Sequence, residues 1–433
     1  MSFLQGLGFG ADNLRAIAGV FVVTALCWIV SENRRKFPWR MTLGAVALQV
    51  GLVLAFFALP GAQGGLAAVT GAMDGLIAAT AEGTKFVFGY LGGGAQPYQV
   101  ADPNLLFVFA FQVMPLILVF SALSALLWHL GILRVLVRGF GFVFEKTMGL
   151  GGASALAAAT NILLGMVESA LVIRGYLDRL TRSEMFLMMT VGLATVAGST
   201  MVAYAAILKP VLPHAAAHVL AASIISAPAG IALARIMIPE TDGVDTAHDD
   251  VDKDALHYEG AMDALTRGIS DGLQIVLNIG ATLIVFVALV ALVNAMLSIA
   301  PNVGGAPLTL ERMLGFVLTP LAWMLGISWQ DAPTAGRLLG VKSVLTEFVG
   351  FIQLGALPLD AISERTRMIM TYAMCGFANV GAVGIMISGL SVMIPHRRRE
   401  VLELAWKSFY PGFLATCMTA AIVGAMPARL FAM

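Results

Sequence analysis

The chain has 433 residues, of which 59% are hydrophobic and only 12% are charged, about half the charged share of an average soluble domain. Its 26 basic residues balance 26 acidic residues, so the formal net charge is zero. A soluble chain of this composition would aggregate, and the lack of excess basic charge argues against nucleic-acid binding. The composition therefore predicts an all-α polytopic protein surrounded by membrane lipid.

Apolar segments of the length of a membrane-spanning helix recur along the chain. About 20 residues are needed to cross a bilayer, and eight segments qualify: 11–31, 41–60, 104–131, 183–208, 215–238, 270–299, 366–390 and 409–430. Residues 63–92 mix apolar residues with glycines and charges, which favours an interfacial helix. Residues 240–259 are rich in Asp and Glu, which indicates a solvated cytoplasmic linker.

Two further apolar stretches, 150–175 and 331–358, are interrupted by a carboxylate near their centres. We interpret each stretch as a re-entrant helical hairpin whose tip ends inside the protein. Irregular backbone at membrane depth is tolerated only where protein or water covers it. The two glutamates, Glu168 and Glu347, would then lie at the hairpin tips.

The basic residues indicate the orientation of the chain. With both termini outside, the cytoplasmic loops hold 17 of the 26 basic residues, as the positive-inside rule requires: Arg34, Arg35, Lys36, Arg40, Arg134, Arg138, Lys146, Arg174, Arg179, Arg182, Arg235, Lys253, Arg267, Arg397, Arg398, Arg399 and Lys407. The first hairpin then enters from the cytoplasm and the second from outside. This opposition indicates an inverted repeat.

The repeat is visible in a second way, because each hairpin is followed by a helix with many small residues at its centre. These runs are 192–199 and 375–382. Interrupted segments at matching places in two halves point to the binding site of a secondary transporter. The alternative is that the glycines only allow close helix packing.

The intramembrane carboxylates Glu168 and Glu347 are the first functional candidates. Charges in the membrane are costly and are functional by default, and we expect both glutamates to lie far in sequence from a compensating charge. The alternative is that each carboxylate only caps a helix N-terminus, where free N–H groups favour an anion.

Polar side chains near the predicted tips form a second group of candidates. Oxygens of Asn161 and Thr195, with carbonyls freed by helix unwinding, could form a small cation site, and Asn379 offers a buried amide in the second half. Ordinary hydrogen bonds between helices are the alternative. No nucleotide loop, His-Glu-x-x-His zinc pair or Gly-x-Ser-x-Gly elbow occurs in the sequence, so an enzyme is not expected.

At these motifs the chain resembles the concentrative nucleoside transporter family, and the resemblance covers most of the chain. The matching stretches are Ser-Glu-Asn-Arg at 31–34, Thr-Lys-Phe-Val-Phe-Gly-Tyr at 84–90, residues 107–115, Leu-Thr-Arg-Ser-Glu at 180–184, Tyr-Ala-Met-Cys-Gly-Phe-Ala-Asn at 372–379 and Pro-His-Arg-Arg at 395–398. The resemblance implies eight helices, two opposed hairpins, a homotrimer and elevator-type transport driven by sodium or protons.

The resemblance also implies a division of the chain into scaffold and transport domains. The predicted parts are scaffold helices with the interfacial helix (1–131), the first hairpin repeat (132–238), the acidic linker (239–268), a scaffold helix (269–300) and the second hairpin repeat (301–433). The expected location is the inner (plasma) membrane of a bacterial-type cell.

The family's site residues carry over only in part. Residues 165–168 read Gly-Met-Val-Glu where the family has Gly-Gln-Thr-Glu, so Gly165 and Glu168 match whereas Met166 and Val167 replace base-binding side chains. Glu347 matches a ribose-binding carboxylate. Phe377 and Asn379 match a base-side aromatic and a ribose-binding amide, and Ala382 replaces a serine. For the coupling ion, the matching positions are Asn161, Thr195 and the carbonyls of Leu164 and Val196, which implies sodium.

The three departures, Met166, Val167 and Ala382, all exchange a hydrogen-bonding side chain for an apolar one. A polar ligand group left unsatisfied costs about 1–3 kcal/mol. We therefore predict a cation-coupled symporter of nucleosides or nucleoside-like solutes, with protons as the alternative coupling ion through Glu168. A less polar solute remains open, as does a supply of the missing hydrogen bonds by nearby residues or water. A receptor or an enzyme could use the same pocket, and a channel is a third possibility.

Overall fold

The computed structural model describes residues 10–59, 61–99, 106–241, 256–302 and 305–431, and no β-strand occurs in these ranges. The α-helices are α1 (Ala11–Ile29), α2 (Trp39–Phe57), α3 (Ala62–Phe88), α4 (Phe109–Gln112), α5 (Met114–His129), α6 (Ile132–Met148), α7 (Gly152–Leu163), α8 (Met166–Val172), α9 (Arg182–Ala194), α10 (Gly198–Leu208), α11 (Ala215–Met237), α12 (Ala261–Leu297), α13 (Leu310–Met324), α14 (Ala332–Val344), α15 (Glu347–Ala356), α16 (Glu364–Met374), α17 (Val380–Met393) and α18 (Arg398–Ala425). Short 3-10 helices are Gly89–Gly92, Arg174–Tyr176, Pro395–Arg397 and Ala428–Phe431. The all-α prediction is confirmed.

Eight helices of the described residues are long and apolar enough to span a membrane, but they differ from the eight segments predicted from the sequence. They are Ala11–Ile29, Trp39–Phe57, Gly64–Gly92, Phe109–His129, Arg182–Leu208, Ala215–Met237, Ala261–Leu297 and Pro395–Ala425. Gly64–Gly92 overlaps the segment that we predict to be interfacial, and that placement stays a prediction.

The predicted span 366–390 is wrong as one continuous helix. Helix α16 ends at Met374 and α17 begins at Val380. Between them the Phe377 N–H donates to the carbonyl of Thr195 at 3.2 Å, and a Cβ on Gly376 would lie 2.8 Å from the carbonyl oxygen of Ala194. The backbone leaves the helix here because it packs directly on the break between α9 and α10.

Helix breaks organise two parts of the molecule. The first broken unit is α7–α10, interrupted at Leu164–Gly165 and at Thr195–Ala197; the second broken unit is α14–α17, interrupted at Leu345–Thr346 and at residues 375–379. Gly165 has φ of +125°, a conformation that only glycine adopts without strain. These breaks fall where the sequence predicts hairpin tips and small-residue runs. The re-entrant placement and the inverted repeat stay predictions.

The core and the periphery use different helices. In α11, 94% of the residues in the segment that is long enough to cross a membrane are buried within the chain, whereas in α12 this share is 6%. Helix α12 exposes many large apolar side chains, among them Ile284, Leu292 and Met296. An apolar surface of this size needs lipid or another subunit to cover it.

A charged cluster lies at the end of the molecule that we predict to be cytoplasmic. Arg182 and Lys407 each contact Glu32, at 3.1 and 2.8 Å, and Glu403, at 2.9 and 2.8 Å. Burial alone would raise the pKa of Glu32, but the hydrogen bonds from Lys407 and Arg182 outweigh burial and lower it. The cluster joins the loop after α1 to α9 and α18.

The acidic linker lies mostly outside the described residues, because 242–255 are not among them. Its first carboxylate, Glu240, contacts buried Arg235 at 2.6 Å and accepts a hydrogen bond from the hydroxyl of Thr181 at 2.8 Å. The solvated role of the linker and the predicted domain boundaries stay predictions.

Candidate functional site

A cavity of about 360 Å³ lies between the two broken units and one face of α12. This volume is within the usual range for small-molecule sites. All eight side chains or backbone positions that the sequence marks for the substrate line it: Gly165, Met166, Val167, Glu168, Glu347, Phe377, Asn379 and Ala382. The structure thus brings together residues that are more than 200 positions apart, whereas their role in binding stays a prediction.

Glu347 lines this cavity, and each of its carboxylate oxygens accepts a hydrogen bond from another side chain. It is 3% exposed and begins α15, directly after Thr346, whose side chain caps that helix. Its Oε1 accepts a hydrogen bond from the hydroxyl of Tyr204 at 2.7 Å, and its Oε2 accepts one from Nδ2 of Asn379 at 2.6 Å. Its own backbone N–H also interacts favourably with the carboxylate. Glu347 therefore places its carboxylate at a helix N-terminus, as the helix-capping alternative predicts, and it also lines the cavity.

Asn379 links the carboxylate to the next helix. Its Oδ1 accepts a hydrogen bond from the backbone N–H of Ala382 at 2.7 Å, which caps α17. Because the same amide donates to Glu347, its orientation is fixed from both sides. One remaining N–H is available for a solute.

Tyr204 and Lys342 contribute to the site although the sequence patterns do not single them out. Tyr204 is fully buried in an apolar stretch of α10, so no pattern in its neighbours marks it. Lys342 is also fully buried, and its Nζ donates to the carbonyl of Ala373 and to Oγ1 of Thr416, both at 2.8 Å. The expectation that Glu347 is far from any compensating charge is wrong, because Lys342 is five residues earlier and interacts with it electrostatically. The charge of Lys342 was visible in the sequence.

Glu168 is placed differently. It lies in the first turn of α8 and is half-buried, and its carboxylate interacts favourably with the backbone N–H groups of Val167 and of Glu168 itself. The nearby carboxylate of Asp271 on α12 repels it. Both residues also line a smaller cavity of about 90 Å³ that adjoins the first.

The apolar substitutions form one side of the main cavity. Met166 and Val167 follow the break at Gly165, and Val167 packs against Gly389 of α17, where an added Cβ would lie 3.2 Å from the valine. Ala382 is 5% exposed and presents only its methyl group. This part of the wall offers no side-chain hydrogen bonds.

The predicted cation positions also come together, around the break between α9 and α10. Asn161 Nδ2 donates to the carbonyl of Ala157 at 3.1 Å, while its buried Oδ1 has no hydrogen-bond partner in the described part of the chain. The hydroxyl of Thr195 lies 3.3 Å from the carbonyl oxygen of Asn161. Val196 is fully buried next to it, and its carbonyl lies 3.2 Å from the hydroxyl of Ser223. Leu164 follows α7 at the first break.

This donor set suits a small hard cation. A buried carbonyl oxygen without a donor costs free energy unless something positive meets it, and unwound helix carbonyls are the ligands that sodium uses in transporters. Among the described residues, no group of three or more His, Cys, Asp or Glu side chains that could hold a metal comes together. The residues present therefore fit sodium.

Comparison with known proteins agrees with this architecture. Three family models match: "Na+ dependent nucleoside transporter N-terminus" over residues 18–91, "Nucleoside recognition" over 110–211 and "Na+ dependent nucleoside transporter C-terminus" over 218–424. An uncharacterized transporter of Haemophilus influenzae is 36% identical, with 95% of this chain and 97% of that protein covered. The nucleoside permease NupC of Helicobacter pylori is 35% identical over the same shares of the two chains.

Among solved structures, CNTnw in an inward-facing substrate-bound state is similar, with a TM-score of 0.85 and 33% identity over 96% of this chain and 98% of that chain. A variant of CNTnw in an outward-facing state has the same TM-score. The named relatives are permeases and transporters, so the prediction that the chain is not an enzyme is confirmed. The chain belongs to the concentrative, Na+-dependent nucleoside transporter family.

Proposed function

We propose that this protein is a cation-coupled symporter that takes up nucleosides or closely related solutes, with sodium as the coupling ion. The observation that carries the proposal is the single cavity on which all eight predicted substrate residues converge. Secondary transporters bind their solutes where broken helices of two repeats meet, and this cavity lies at such a place.

The second broken unit would hold the sugar. Each carboxylate oxygen of Glu347 has lone pairs beyond the one used by Tyr204 or Asn379, so it can accept hydrogen bonds from neighbouring hydroxyl groups of a ribose. Asn379 has a remaining N–H for a hydroxyl oxygen. Because these groups are already fixed by the protein, little side-chain ordering is needed on binding. Phe377 would pack against the base.

The first broken unit would hold the cation. Asn161 Oδ1, the hydroxyl of Thr195 and the carbonyls of Leu164 and Val196 are the proposed ligands. A bound sodium ion would supply the positive charge that makes solute binding depend on the ion gradient. Gly192 lies between this site and the cavity, because a Cβ there would be 3.3 Å from Asn161 Oδ1 and 2.8 Å from the Cβ of Met166. Ion and solute sites would therefore be adjacent.

We also propose the family's assembly and movement for this chain: a homotrimer in the inner (plasma) membrane, with both termini outside and an elevator motion of the broken units against α12. The exposed apolar surface of α12 supports its placement against lipid or another subunit. The inward- and outward-facing states of CNTnw support movement between two positions.

Uptake by purified protein in sealed proteoliposomes tests the proposal. We expect labelled nucleoside to accumulate above its external concentration when an inward sodium gradient is present at fixed pH. Replacement of sodium by choline should abolish accumulation, and a proton gradient alone should not restore it. Accumulation driven by a proton gradient alone would show that protons are the coupling ion, bound by a carboxylate such as Glu168. Binding without uptake under either gradient would contradict a transporter and favour a receptor, and flux that only equilibrates would favour a channel.

A further inference from the structure

Helix α12 carries a polar stripe that the family resemblance does not include. Between residues 271 and 290 this helix is apolar except for four side chains, and all four line the cavity: Asp271, Gln274, Asn278 and Thr282. Their spacing of three or four residues places them on one face of the helix. Polar side chains in a membrane helix are expensive and are functional by default.

Two of these side chains form a matched pair. Nε2 of Gln274 donates a hydrogen bond to Oδ1 of Asn278 at 3.1 Å. The bond orients the two amides relative to each other and uses one donor and one acceptor. One carbonyl oxygen of the pair and the remaining N–H groups stay available. They lie on a wall of the cavity that also holds Ile275 and Ile279.

The apolar part of the cavity lining explains why such a pair is needed. Met166, Val167 and Ala382 have no side-chain hydrogen-bonding groups, so the edge of a nucleobase that faced them would give up its bonds to water without replacement. The donor and acceptor groups that the two amides leave unused are complementary to the polar edge of a purine or pyrimidine. Amides recognise bases in this bidentate way elsewhere.

We propose that Gln274 and Asn278 are specificity-determining residues that bind the polar edge of the nucleobase and supply the hydrogen bonds that Met166, Val167 and Ala382 cannot make. The inference rests on the proposed function, since it names what the same cavity selects. It makes a polar base, rather than a less polar solute, the ligand. It adds α12 to base recognition beside Phe377, and because the proposed motion carries the broken units past α12, these contacts belong to the state described here.

The test compares nucleosides that differ only in the polar edge of the base. The probes are inosine and unsubstituted purine riboside, and uridine and its 4-deoxy analogue, titrated calorimetrically into purified protein with sodium present. For at least one pair, wild type should bind the substituted nucleoside about tenfold more tightly, the value of one good hydrogen bond. In Asn278→Leu and in Gln274→Leu the ratio of the two affinities should fall to within about twofold. The affinity for the nucleoside that lacks the polar substituent should change little.

Two further measurements keep the outcomes separate. Gln49→Leu removes a buried amide of α2 that does not line the cavity, and its ratio should equal that of wild type. A glutamine at 278 (Asn278→Gln) should keep part of the discrimination. An equal loss for both members of each pair, or no loss, would overturn the inference while the proposed function stands. Failure of wild type to bind any of the four nucleosides would overturn the proposed function, and the inference with it.

Discussion

The two broken units carry the same types of polar side chain but satisfy them to different degrees. In the second unit, Glu347 accepts hydrogen bonds from Tyr204 and Asn379, and Asn379 also caps a helix. In the first unit, Asn161 keeps a buried oxygen without a donor in the described part of the chain. Glu168 interacts with backbone N–H groups at its helix terminus and is repelled by the carboxylate of Asp271.

This difference shows how two similar breaks can serve two ligands. A fixed, fully bonded carboxylate is suited to hydroxyl groups in a defined geometry, because preorganisation lowers the cost of binding. A buried oxygen with no donor is suited to a cation, which supplies the missing positive partner. We therefore expect changes at Glu347 and its hydrogen-bond partners to affect solute affinity, and changes around Asn161 to affect ion dependence.

The largest expected effect on solute is at Glu347. In Glu347→Gln, one carboxylate oxygen becomes an amide nitrogen, which cannot accept the bond from Tyr204 or Asn379 and repels a donor. Loss of charged hydrogen bonds worth about 1.5–3 kcal/mol each should reduce kcat/KM of uptake about a hundredfold or more. Glu364→Gln, an exposed glutamate in the first turn of α16, is the control and should transport as wild type. Unchanged uptake in Glu347→Gln for every nucleoside would show that this carboxylate is not a ligand.

A smaller effect, on ion and solute together, is expected at Gly192. The new methyl group in Gly192→Ala would lie 2.8 Å from Met166 and 3.3 Å from Asn161 Oδ1, which is overpacking at a cost of about 1–3 kcal/mol. Half-maximal sodium concentration and KM should both rise, by roughly tenfold or more. Gly384→Ala is matched, because nothing lies within 4 Å of its added Cβ. A rise in KM without a rise in the half-maximal sodium concentration would contradict the proposal that the ion site and the solute site are adjacent.

The smallest of the three effects is expected at Tyr204. Tyr204→Phe keeps the buried ring but removes one donor to Glu347, at about 1.5 kcal/mol, so nucleoside affinity should fall about tenfold with sodium dependence unchanged. The matched change is Tyr372→Phe, since that buried hydroxyl lies 3.0 Å from His218 Nδ1 and does not line the cavity. Calorimetry on both variants provides the comparison. Equal losses of nucleoside affinity would mean that Tyr204 acts only through stability.

Much of the site could be predicted because polar residues in apolar segments are conspicuous in the sequence. Glu168, Glu347 and Asn379 stand out in this way, and the motif around Phe377 then identifies its neighbours. Lys342 was equally visible as a charge, but its effect on Glu347 depends on how α14 packs against α16 and α18.

The features that could not be predicted from the sequence depend on tertiary contacts. Tyr204 follows no pattern within α10, and its importance arises only because the second broken unit packs on it. The small residues at 375–382 mark the region of the interruption between α16 and α17, but no proline fixes its position, which depends on the hydrogen bond from Phe377 to the carbonyl of Thr195 across the two units. The polar stripe of α12 has helical spacing, but its direction toward the cavity could not be inferred from one helix alone.

The division of labour between the carboxylate of Glu347 and the oxygen site at Asn161 is the central claim, and a titration of nucleoside binding at increasing sodium concentration tests it most directly. We expect sodium to tighten nucleoside binding in wild type. In Asn161→Leu nucleoside should still bind but without dependence on sodium, whereas in Glu347→Gln sodium should still raise thermal stability while nucleoside affinity is lost. Full sodium dependence in Asn161→Leu would contradict the account.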